Sequence, residues 1–196
     1  VLEIGSGYGE YSFEIAKNVK NIVALDMDKN KLSEMQNIVK KRNIKNISIV
    51  NTRIENYIPQ KKFDKIIIIQ SLGYINPQNF IKILKNNLKD NGNLLILDLT
   101  KSLIFTTRRK IKYLLNSNIP IATNYSKNDL KLITNHFKNY NFSYFGIFIF
   151  FLPLIFFITK IIRFRIYNKI DKIIFLKHLS FKYLVVCKEF SKKRFS

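Results

Sequence analysis

This sequence has little cysteine, histidine or acidic side chain. Its 196 residues include one cysteine, Cys187, and two histidines. A single cysteine excludes a disulfide framework or a cysteine-based zinc site within these residues and fits a reducing compartment. We read His136, which has no second ligand nearby, as structural and His178 as a surface residue, and we expect no metal site. Because the chain opens without Met and directly in an apolar run, we expect an N-terminal piece to be missing; no signal peptide is visible.

Negative charge is scarce, and it is scarcest in the second half of the chain. The sequence has 34 Lys and Arg against 13 Asp and Glu, a net charge of +21. Residues 1–100 carry 15 basic against 10 acidic side chains, whereas residues 101–196 carry 19 against 3. A bias toward Lys, Asn and Ile explains part of this excess but not its asymmetry. The charge predicts an anionic partner: a membrane surface, a phosphate-bearing substrate or a nucleic acid.

Glycine is rare as well, and half of it lies in one short stretch. Three of the six glycines, Gly5, Gly7 and Gly9, stand between the apolar residues 1–4 and a predicted helix. Such crowding permits positive φ and lets a ligand approach the backbone where a Cβ would block it. With the acidic Glu3 two residues before the first glycine, the stretch predicts a cofactor loop. A tight strand-to-helix turn without a ligand is the alternative.

The run Val1-Leu2-Glu3-Ile4-Gly5-Ser6-Gly7-Tyr8-Gly9 resembles the opening motif of the class I S-adenosylmethionine-dependent methyltransferases. The resemblance implies an α/β fold with a Rossmann-like seven-stranded, mostly parallel sheet, an antiparallel last strand and helices on both faces. It also implies S-adenosyl-L-methionine as the cofactor. In that family the glycine backbone passes under the cofactor's methionine and ribose, and the acid in the Glu3 position orients the loop and the cofactor's amino group. The loop residues predicted to bind the cofactor are Gly5, Ser6, Gly7 and Gly9.

The same resemblance implies cofactor contacts at the ends of the next strands. Asp26 ends the second apolar run, about twenty residues after the glycine loop, where it would accept both ribose hydroxyls. Met27 beside it would contact the adenine, while Asp28 is predicted to cap the following helix. Family members often have an acidic residue after the third strand, and this sequence has none at that point. The remaining predicted contacts are Thr52, Arg53 and Ile54 after the third strand and Gln70 after the fourth.

Apolar runs and helical patterns alternate along the chain, as expected for a mostly parallel sheet. Residues 88–93 are predicted as a polar turn into the fifth strand, and Ser126 as the N-cap of the last core helix. The predicted strands cover 1–4, 22–25, 47–50, 63–69, 94–97, 142–148 and 183–187. The predicted helices cover 11–20, 29–42, 80–88 and 127–139.

Two side chains are candidates for catalysis. Tyr74 stands where many family members that act on small molecules carry a histidine, and it is equally well explained as a wall of the cleft. Asp98, at the end of the fifth predicted strand, is the best-placed carboxylate for deprotonating a substrate hydroxyl, against a capping role. Residues 70–73 lack the amide-proline pair that methyltransferases of nucleic-acid amino groups carry here, which counts against base chemistry.

The segment between the last two strands distinguishes this chain. Residues 147–158 are apolar apart from Pro153, and the isoleucines that follow recur at helical spacing among Lys and Arg. A basic amphipathic helix lies in the plane of an anionic bilayer, so we predict an interfacial segment rather than a span. A helical cap over the cleft or a dimer interface is the alternative. The predicted organisation is a core over 1–146, this insertion over 147–181, a last strand over 182–190 and a basic tail over 191–196.

The predicted function is methyl transfer to an oxygen or nitrogen of a small acceptor, hydrophobic or lipid-linked, at a membrane surface. The predicted location is cytoplasmic, peripheral on the cytoplasmic face of a membrane. Two alternatives stay open: an RNA methyltransferase that uses the basic half to bind phosphates, and a non-catalytic membrane-associated protein built on the same fold.

Overall fold

The computed structural model describes residues 1–99, 125–145 and 182–191. These residues form one seven-stranded sheet with four helices packed on it. Short 3-10 turns cover Ile54–Asn56 and Leu72–Tyr74. The strands are β1 (Leu2–Ile4), β2 (Ile22–Asp26), β3 (Ile47–Asn51), β4 (Phe63–Ile69), β5 (Leu88–Leu99), β6 (Phe137–Phe145) and β7 (Lys182–Phe190). The helices are α1 (Glu10–Ala16), α2 (Lys29–Lys41), α3 (Pro77–Asn87) and α4 (Lys127–Thr134).

The sheet order is β3-β2-β1-β4-β5-β7-β6. Strands β1 to β5 pair in parallel, and β7 runs antiparallel to both of its neighbours, β5 and β6. The predicted fold class is therefore confirmed. The order reverses next to β1, and ligands of open α/β sheets bind at such a switch point, beyond the carboxyl ends of the strands.

Helices cover both faces of the central strands. On one face, Ile66 and Ile68 of β4 join a cluster to which α3 and α4 contribute Phe80 and Ile133. On the other face, Ala24 of β2 packs with Met35 and two further apolar residues of α2. Because both faces are covered, β4 is a nearly continuous isoleucine run rather than an alternating one.

Several predicted boundaries are wrong. Helix α3 begins at Pro77 instead of residue 80, because the Asn76 side chain accepts the N–H groups of Gln78 and Asn79 and caps the helix. Helix α1 ends at Ala16 instead of residue 20, because the Asn46 side-chain amide donates to the Ala16 and Val19 carbonyl oxygens at 2.8 and 3.0 Å. These bonds satisfy carbonyl oxygens that have no intrahelical partner where the helix ends.

Residues 88–93 are not a separate turn but the start of β5. Leu88 pairs with Phe63 and Asn93 with Lys65, so the register shifts between these two pairs, as at a β-bulge. Asn91, within the shifted stretch, has a φ of 63°.

The last core helix and the strand after it also differ from the prediction. Ser126 caps α4 as predicted, in a capping box with Asp129, but the helix ends at Thr134. His136 therefore lies in the turn before β6 rather than in the helix. Strand β6 begins at Phe137, five residues earlier than predicted, because the Phe137 ring is buried against Phe190 of β7, with the ring centroids 5.2 Å apart.

The predicted insertion over 147–181 lies outside the described residues, as does the tail beyond Ser191. None of the helices within the described ranges has the length and apolar character that crossing a bilayer requires. The proposed division of the chain into core, insertion, last strand and tail stays a prediction.

Candidate functional site

The glycine loop joins β1 to α1 at the carboxyl edge of the sheet. Gly5, Gly7 and Gly9 have φ angles of 76°, 55° and 84°, all in the left-handed region that glycine occupies without steric cost. The backbone N–H groups of Gly5 and Ser6 donate to the carbonyl oxygen of Leu25 at 2.8 and 3.1 Å. These two hydrogen bonds fix the loop to the end of β2, and the glycines adopt the positive φ angles that the sequence predicts.

The three glycines face different surroundings. A Cβ on Gly5 would lie 2.4 Å from both the Cβ and the Oγ of Ser71, and one on Gly9 would lie 2.8 Å from the Met35 side chain. A Cβ on Gly7 would meet no atom within 4 Å. Packing thus explains the absence of a side chain at Gly5 and Gly9, whereas Gly7 borders open space that a ligand can fill.

Ser6 supports the same interpretation. Its side chain is buried, and no group among the described residues hydrogen-bonds to its Oγ. A buried hydroxyl without a partner costs free energy, so such groups normally meet a ligand, a water or another protein group. Open space at Gly7 and an unpartnered Oγ at Ser6 are what a loop that holds a polar cofactor would show.

Asp26 closes the loop from the side of β2. Its Oδ2 accepts the Gly7 N–H at 2.8 Å and its Oδ1 accepts the Asp28 N–H at 2.9 Å. Each carboxylate oxygen can accept a further bond, so the fixed, half-buried carboxylate could receive two neighbouring hydroxyls. Asp28 instead accepts the N–H groups of Asn30 and Lys31 and caps α2, as predicted.

Glu3 lies beneath the loop, in the centre of the sheet. Its side chain is 1% exposed, and its Oε2 accepts a hydrogen bond from the Ser12 hydroxyl of α1. Burial raises the pKa of Glu3 to about 7; the Ser12 hydrogen bond opposes the shift, and the nearby Asp26 charge adds to it. Glu3 therefore ties β1 to the first turns of α1, which supports the resemblance-based role of orienting the loop.

The raised pKa of Glu3 predicts a pH-dependent stability. The folded state holds the Glu3 proton more tightly than the unfolded chain, in which a Glu titrates near 4.5. The free energy of unfolding should therefore fall as pH rises from about 4.5 to 7 and then level off, by an amount on the order of 3 kcal/mol. Denaturant unfolding of wild type and Glu3→Gln checks this, because all other groups titrate in both. As pH rises over that range, we expect the free energy of unfolding of Glu3→Gln to increase relative to that of wild type. Parallel pH profiles of the two proteins would refute the raised pKa of Glu3.

Strand β3 contributes the other wall at the end of β2. The Thr52 N–H and the Asn51 side-chain amide both donate to the Asp26 carbonyl oxygen at 3.1 Å. Arg53 is exposed and pairs with Glu55 at 3.6 Å. The Ile54 side chain is buried in the core, so only its backbone can border a ligand. Cofactor contacts at these positions stay a prediction.

The segment after β4 packs directly against the glycine loop. Gln70 has a φ of 53°, unusual for a residue with a side chain, and its N–H donates to the Leu97 carbonyl oxygen at 2.8 Å. The Ser71 hydroxyl donates to the Ile4 carbonyl oxygen at 2.8 Å. The structure thus brings the predicted residues Gly5, Asp26 and Gln70 to one edge of the sheet.

Two buried polar side chains, Asp98 and Tyr125, hold the segment that follows β4. The Asp98 side chain is 6% exposed; its Oδ2 accepts the Leu72 N–H at 3.1 Å and its Oδ1 the Leu99 N–H at 2.7 Å. The Tyr125 hydroxyl donates to the Ile75 carbonyl oxygen at 2.8 Å. Asp98 therefore positions the segment that carries Tyr74, and its role as a base stays a prediction. Tyr125 was not among the sequence candidates, and no local signal marks it.

Burial also governs the titration of the neighbouring hydroxyl and thiol groups. Burial, with the nearby Asp98 charge, raises the pKa of the Tyr125 and Tyr183 phenols well above the ordinary value. Burial raises the pKa of the Cys187 thiol to about 12, so this cysteine is inert, as expected for a strand position. In the parts of the chain that the structure describes, no three His, Cys, Asp or Glu side chains cluster as a metal site would require.

Large side chains stand exposed around this edge. The exposed fractions of Tyr8, Met27 and Tyr74 are 46%, 56% and 48%. Tyr8 belongs to the glycine loop, Met27 follows Asp26, and Tyr74 ends the turn after β4. The Lys31 ammonium lies 5.9 Å from the centre of the Tyr8 ring. An adenine ring or an apolar acceptor would find contact surface here.

Comparison with known proteins agrees with the family resemblance of the glycine-loop motif. Residues 1–144 match the family model described as a methyltransferase domain. Proteins named ribosomal RNA small subunit methyltransferase G are similar over part of the chain. The one from Chromobacterium violaceum is 28% identical over 94 residues, which cover 47% of this chain and 44% of that protein. The one from Legionella pneumophila strain Corby is 35% identical over 69 residues, which cover 34% of this chain and 33% of that protein. The chain spans less than half the length of these curated relatives.

Several solved structures share this fold. Geranyl diphosphate C-methyltransferase from Streptomyces coelicolor has a TM-score of 0.68 at 9% identity, covering 96% of this chain and 71% of that one. The YcgJ protein from Bacillus subtilis has a TM-score of 0.62 at 13% identity, covering 96% and 91%. A SAM-dependent methyltransferase from Aquifex aeolicus has a TM-score of 0.58 at 16% identity, covering 96% and 80%.

Proposed function

This chain belongs to the class I S-adenosyl-L-methionine-dependent methyltransferases, and we propose that it transfers a methyl group to an oxygen or nitrogen nucleophile. The observation that carries this proposal is the cradle formed by the open Gly7 position, the unpartnered Ser6 hydroxyl and the Asp26 carboxylate. These features are consistent with a bound S-adenosyl-L-methionine. Because this fold hosts many activities, the function depends on the residues of the site.

Different residues would contact different parts of the cofactor. Asp26 would accept hydroxyls of the ribose, Gly7 would leave room for the ligand over the loop, and the exposed Met27 would cover the adenine. When bound, the cofactor supplies a methyl group that its positively charged sulfur already activates, so the protein contributes chiefly proximity and orientation. Gln70 and Tyr74 stand on the segment that faces the acceptor side of this edge.

The acceptor that we propose first is a small molecule, hydrophobic or lipid-linked, reached at an anionic membrane surface on the cytoplasmic side. Two observations support it. The exposed Tyr8, Met27 and Tyr74 offer an apolar rim next to the cofactor cradle. The sequence of residues 147–178, outside the described ranges, is apolar and then basic, as interfacial helices are. In this function, Tyr74 lines the acceptor cleft and Asp98 fixes the segment beneath it.

Vesicle flotation tests this acceptor class. We expect the wild-type chain to float with vesicles of anionic lipid and not with neutral ones. Replacing Lys160, Arg163 and Lys169 by Gln should reduce flotation, since each basic residue near an anionic surface contributes about 1 kcal/mol. The control replaces the exposed Lys82, Lys127 and Lys131 by Gln, which removes the same charge from α3 and α4. Equal flotation of both variants, or none by wild type, would contradict a membrane-surface acceptor.

RNA methylation is a second candidate function. The relatives named ribosomal RNA small subunit methyltransferase G favour it, because their similarity reaches 28% and 35% identity in the aligned part. The excess of basic residues in this chain supports it too, since phosphate contacts dominate RNA affinity. Against it, Gln70-Ser71-Leu72-Gly73 lacks the amide-proline pair associated with base amino groups. Labelled methyl groups recovered in RNA rather than in lipid would decide for this candidate.

A further inference from the structure

A compact basic surface lies at the amino edge of the sheet, opposite the glycine loop. We call it the basic edge: Lys17, Lys20, Lys40, Lys41, Arg42 and Lys45. Helices that connect parallel strands run antiparallel to them, so α1 and α2 both end at the edge where β2 and β3 begin. Strand β2 separates this surface from Asp26 by its own five residues, roughly 15 Å.

Specific contacts bring the parts of the basic edge together. The Asn46 side-chain amide donates to the Ala16 and Val19 carbonyl oxygens, and the backbone carbonyl oxygen of Asn46 accepts the Ile22 N–H at 2.9 Å. These bonds place the end of α1 beside the start of β3. Asn43, at φ 52°, turns the chain sharply after α2, and Ile44 N–H closes that turn on the Val39 carbonyl oxygen at 3.0 Å. The three segments therefore form one fixed surface.

The charge of the basic edge is largely uncompensated. All six side chains belong to exposed residues. Residues 36–54 contain no Asp or Glu, and Glu14, paired with Lys17 at 2.7 Å, is the one acid in residues 13–22. Within the described ranges, no carboxylate forms an ion pair with Lys20, Lys41 or Lys45. Lys40 and Lys41 also suit the negative end of the α2 dipole, but Lys20 and Lys45 lie beyond the helices.

Arg42 adds a planar group to this surface. Its guanidinium lies over the Phe13 ring, 5.4 Å from the ring centre. Arg42 is an exposed residue, and unpaired RNA bases stack on guanidinium planes. The exposed large apolar side chains of the described residues all lie elsewhere. The basic edge therefore has no apolar anchor of the kind that holds a protein in a bilayer interface.

We propose that the basic edge binds the phosphate backbone of a single RNA strand. This proposal rests on the second candidate function, RNA methylation, and adds a docking surface remote from the site of methyl transfer. A strand held at one edge of the sheet could present a distant nucleotide at the other edge. Phosphate contacts of this kind give affinity and position without reading the base sequence.

The test compares two triple variants of the full chain in binding a mixed-sequence single-stranded RNA across a salt series. The first variant combines Lys20→Ala, Lys41→Ala and Lys45→Ala. It should reduce the steepness of the fall of log affinity with log salt by about 2, because each single-strand phosphate contact contributes about 0.7. At 0.1 M salt the affinity should fall at least about tenfold. None of these three side chains makes an ion pair within the described ranges. The free energy of unfolding should therefore change by at most about 1 kcal/mol, the contribution of Lys41 in the last turn of α2.

The control is Lys82→Ala, Lys127→Ala and Lys131→Ala, which removes the same charge from α3 and α4 on the other face of the sheet. The proposal is overturned if both triple variants lose equal salt slope, if neither does, or if the first triple loses binding to anionic vesicles but keeps its RNA affinity. S-adenosylhomocysteine binding should be the same in all three proteins. If wild type fails to bind S-adenosylhomocysteine and the slopes still differ, the RNA surface stands and the proposed methyl transfer falls.

Discussion

Gly5→Ala should destabilise the fold more than any other single methyl group added to the loop. The new Cβ would lie 2.4 Å from the Cβ and Oγ of Ser71, at a φ of 76° that disfavours a side chain. Overpacking costs about 1–3 kcal/mol, and the left-handed conformation about 1–2 kcal/mol more. We therefore expect the free energy of unfolding to fall by about 3 kcal/mol, measured by denaturant unfolding.

A second substitution separates the two costs. Adding Ser71→Gly to Gly5→Ala removes both atoms that the new methyl would strike and leaves only the Ser71 Cα, 4.0 Å away. Ser71→Gly alone should cost about 1 kcal/mol, because it removes the bond to the Ile4 carbonyl oxygen. Adding Gly5→Ala to Ser71→Gly should then cost only about half of what Gly5→Ala costs in the wild-type chain. An equal cost of Gly5→Ala in both backgrounds would show that the two residues do not meet as described.

Gly7→Ala should have the opposite profile, a small loss of stability and a large loss of cofactor affinity. The added methyl would meet no protein atom within 4 Å, so only the φ of 55° costs stability, about 1 kcal/mol. The same methyl would enter the space assigned to the cofactor. We expect the dissociation constant of S-adenosylhomocysteine to rise at least about tenfold, which corresponds to about 1.4 kcal/mol.

Gly9→Ala provides the matched control for Gly7→Ala. Its φ of 84° is similar, but its Cβ would press on the flexible Met35 side chain inside the protein. Gly9→Ala should therefore lose stability without a comparable loss of intrinsic cofactor affinity at temperatures where it is folded. If Gly7→Ala bound S-adenosylhomocysteine as well as wild type, the space over Gly7 would not be the cofactor site.

The sequence predicts those parts of the site that depend on neighbouring residues. Glycines crowded between a strand and a helix require positive φ, and all three have it. The acid at the tip of β2 lies next to the loop because parallel neighbouring strands end at the same edge. The isoleucine run of β4 predicts a central strand, and its bounds, Phe63–Ile69, are those predicted.

Long-range contacts decide what the sequence does not predict. Tyr125 reaches the Ile75 carbonyl across 50 residues, and Asp98 reaches Leu72 across 26. The early end of α1 depends on Asn46, 30 residues after Ala16. The difference between Gly5 and Gly7 depends on Ser71, which no local pattern connects to the glycine loop. Each of these requires the tertiary arrangement of strands that local periodicity does not specify.

Calorimetric titration of the wild-type chain with S-adenosylhomocysteine tests the central claim most directly. We predict saturable binding with one ligand per chain, and an unfolding free energy raised by about 2.7 kcal/mol when the ligand is at a hundred times its dissociation constant. The absence of both saturable heat and a shift in the unfolding transition would contradict the account. That result would favour a non-catalytic membrane-associated protein that keeps the methyltransferase fold.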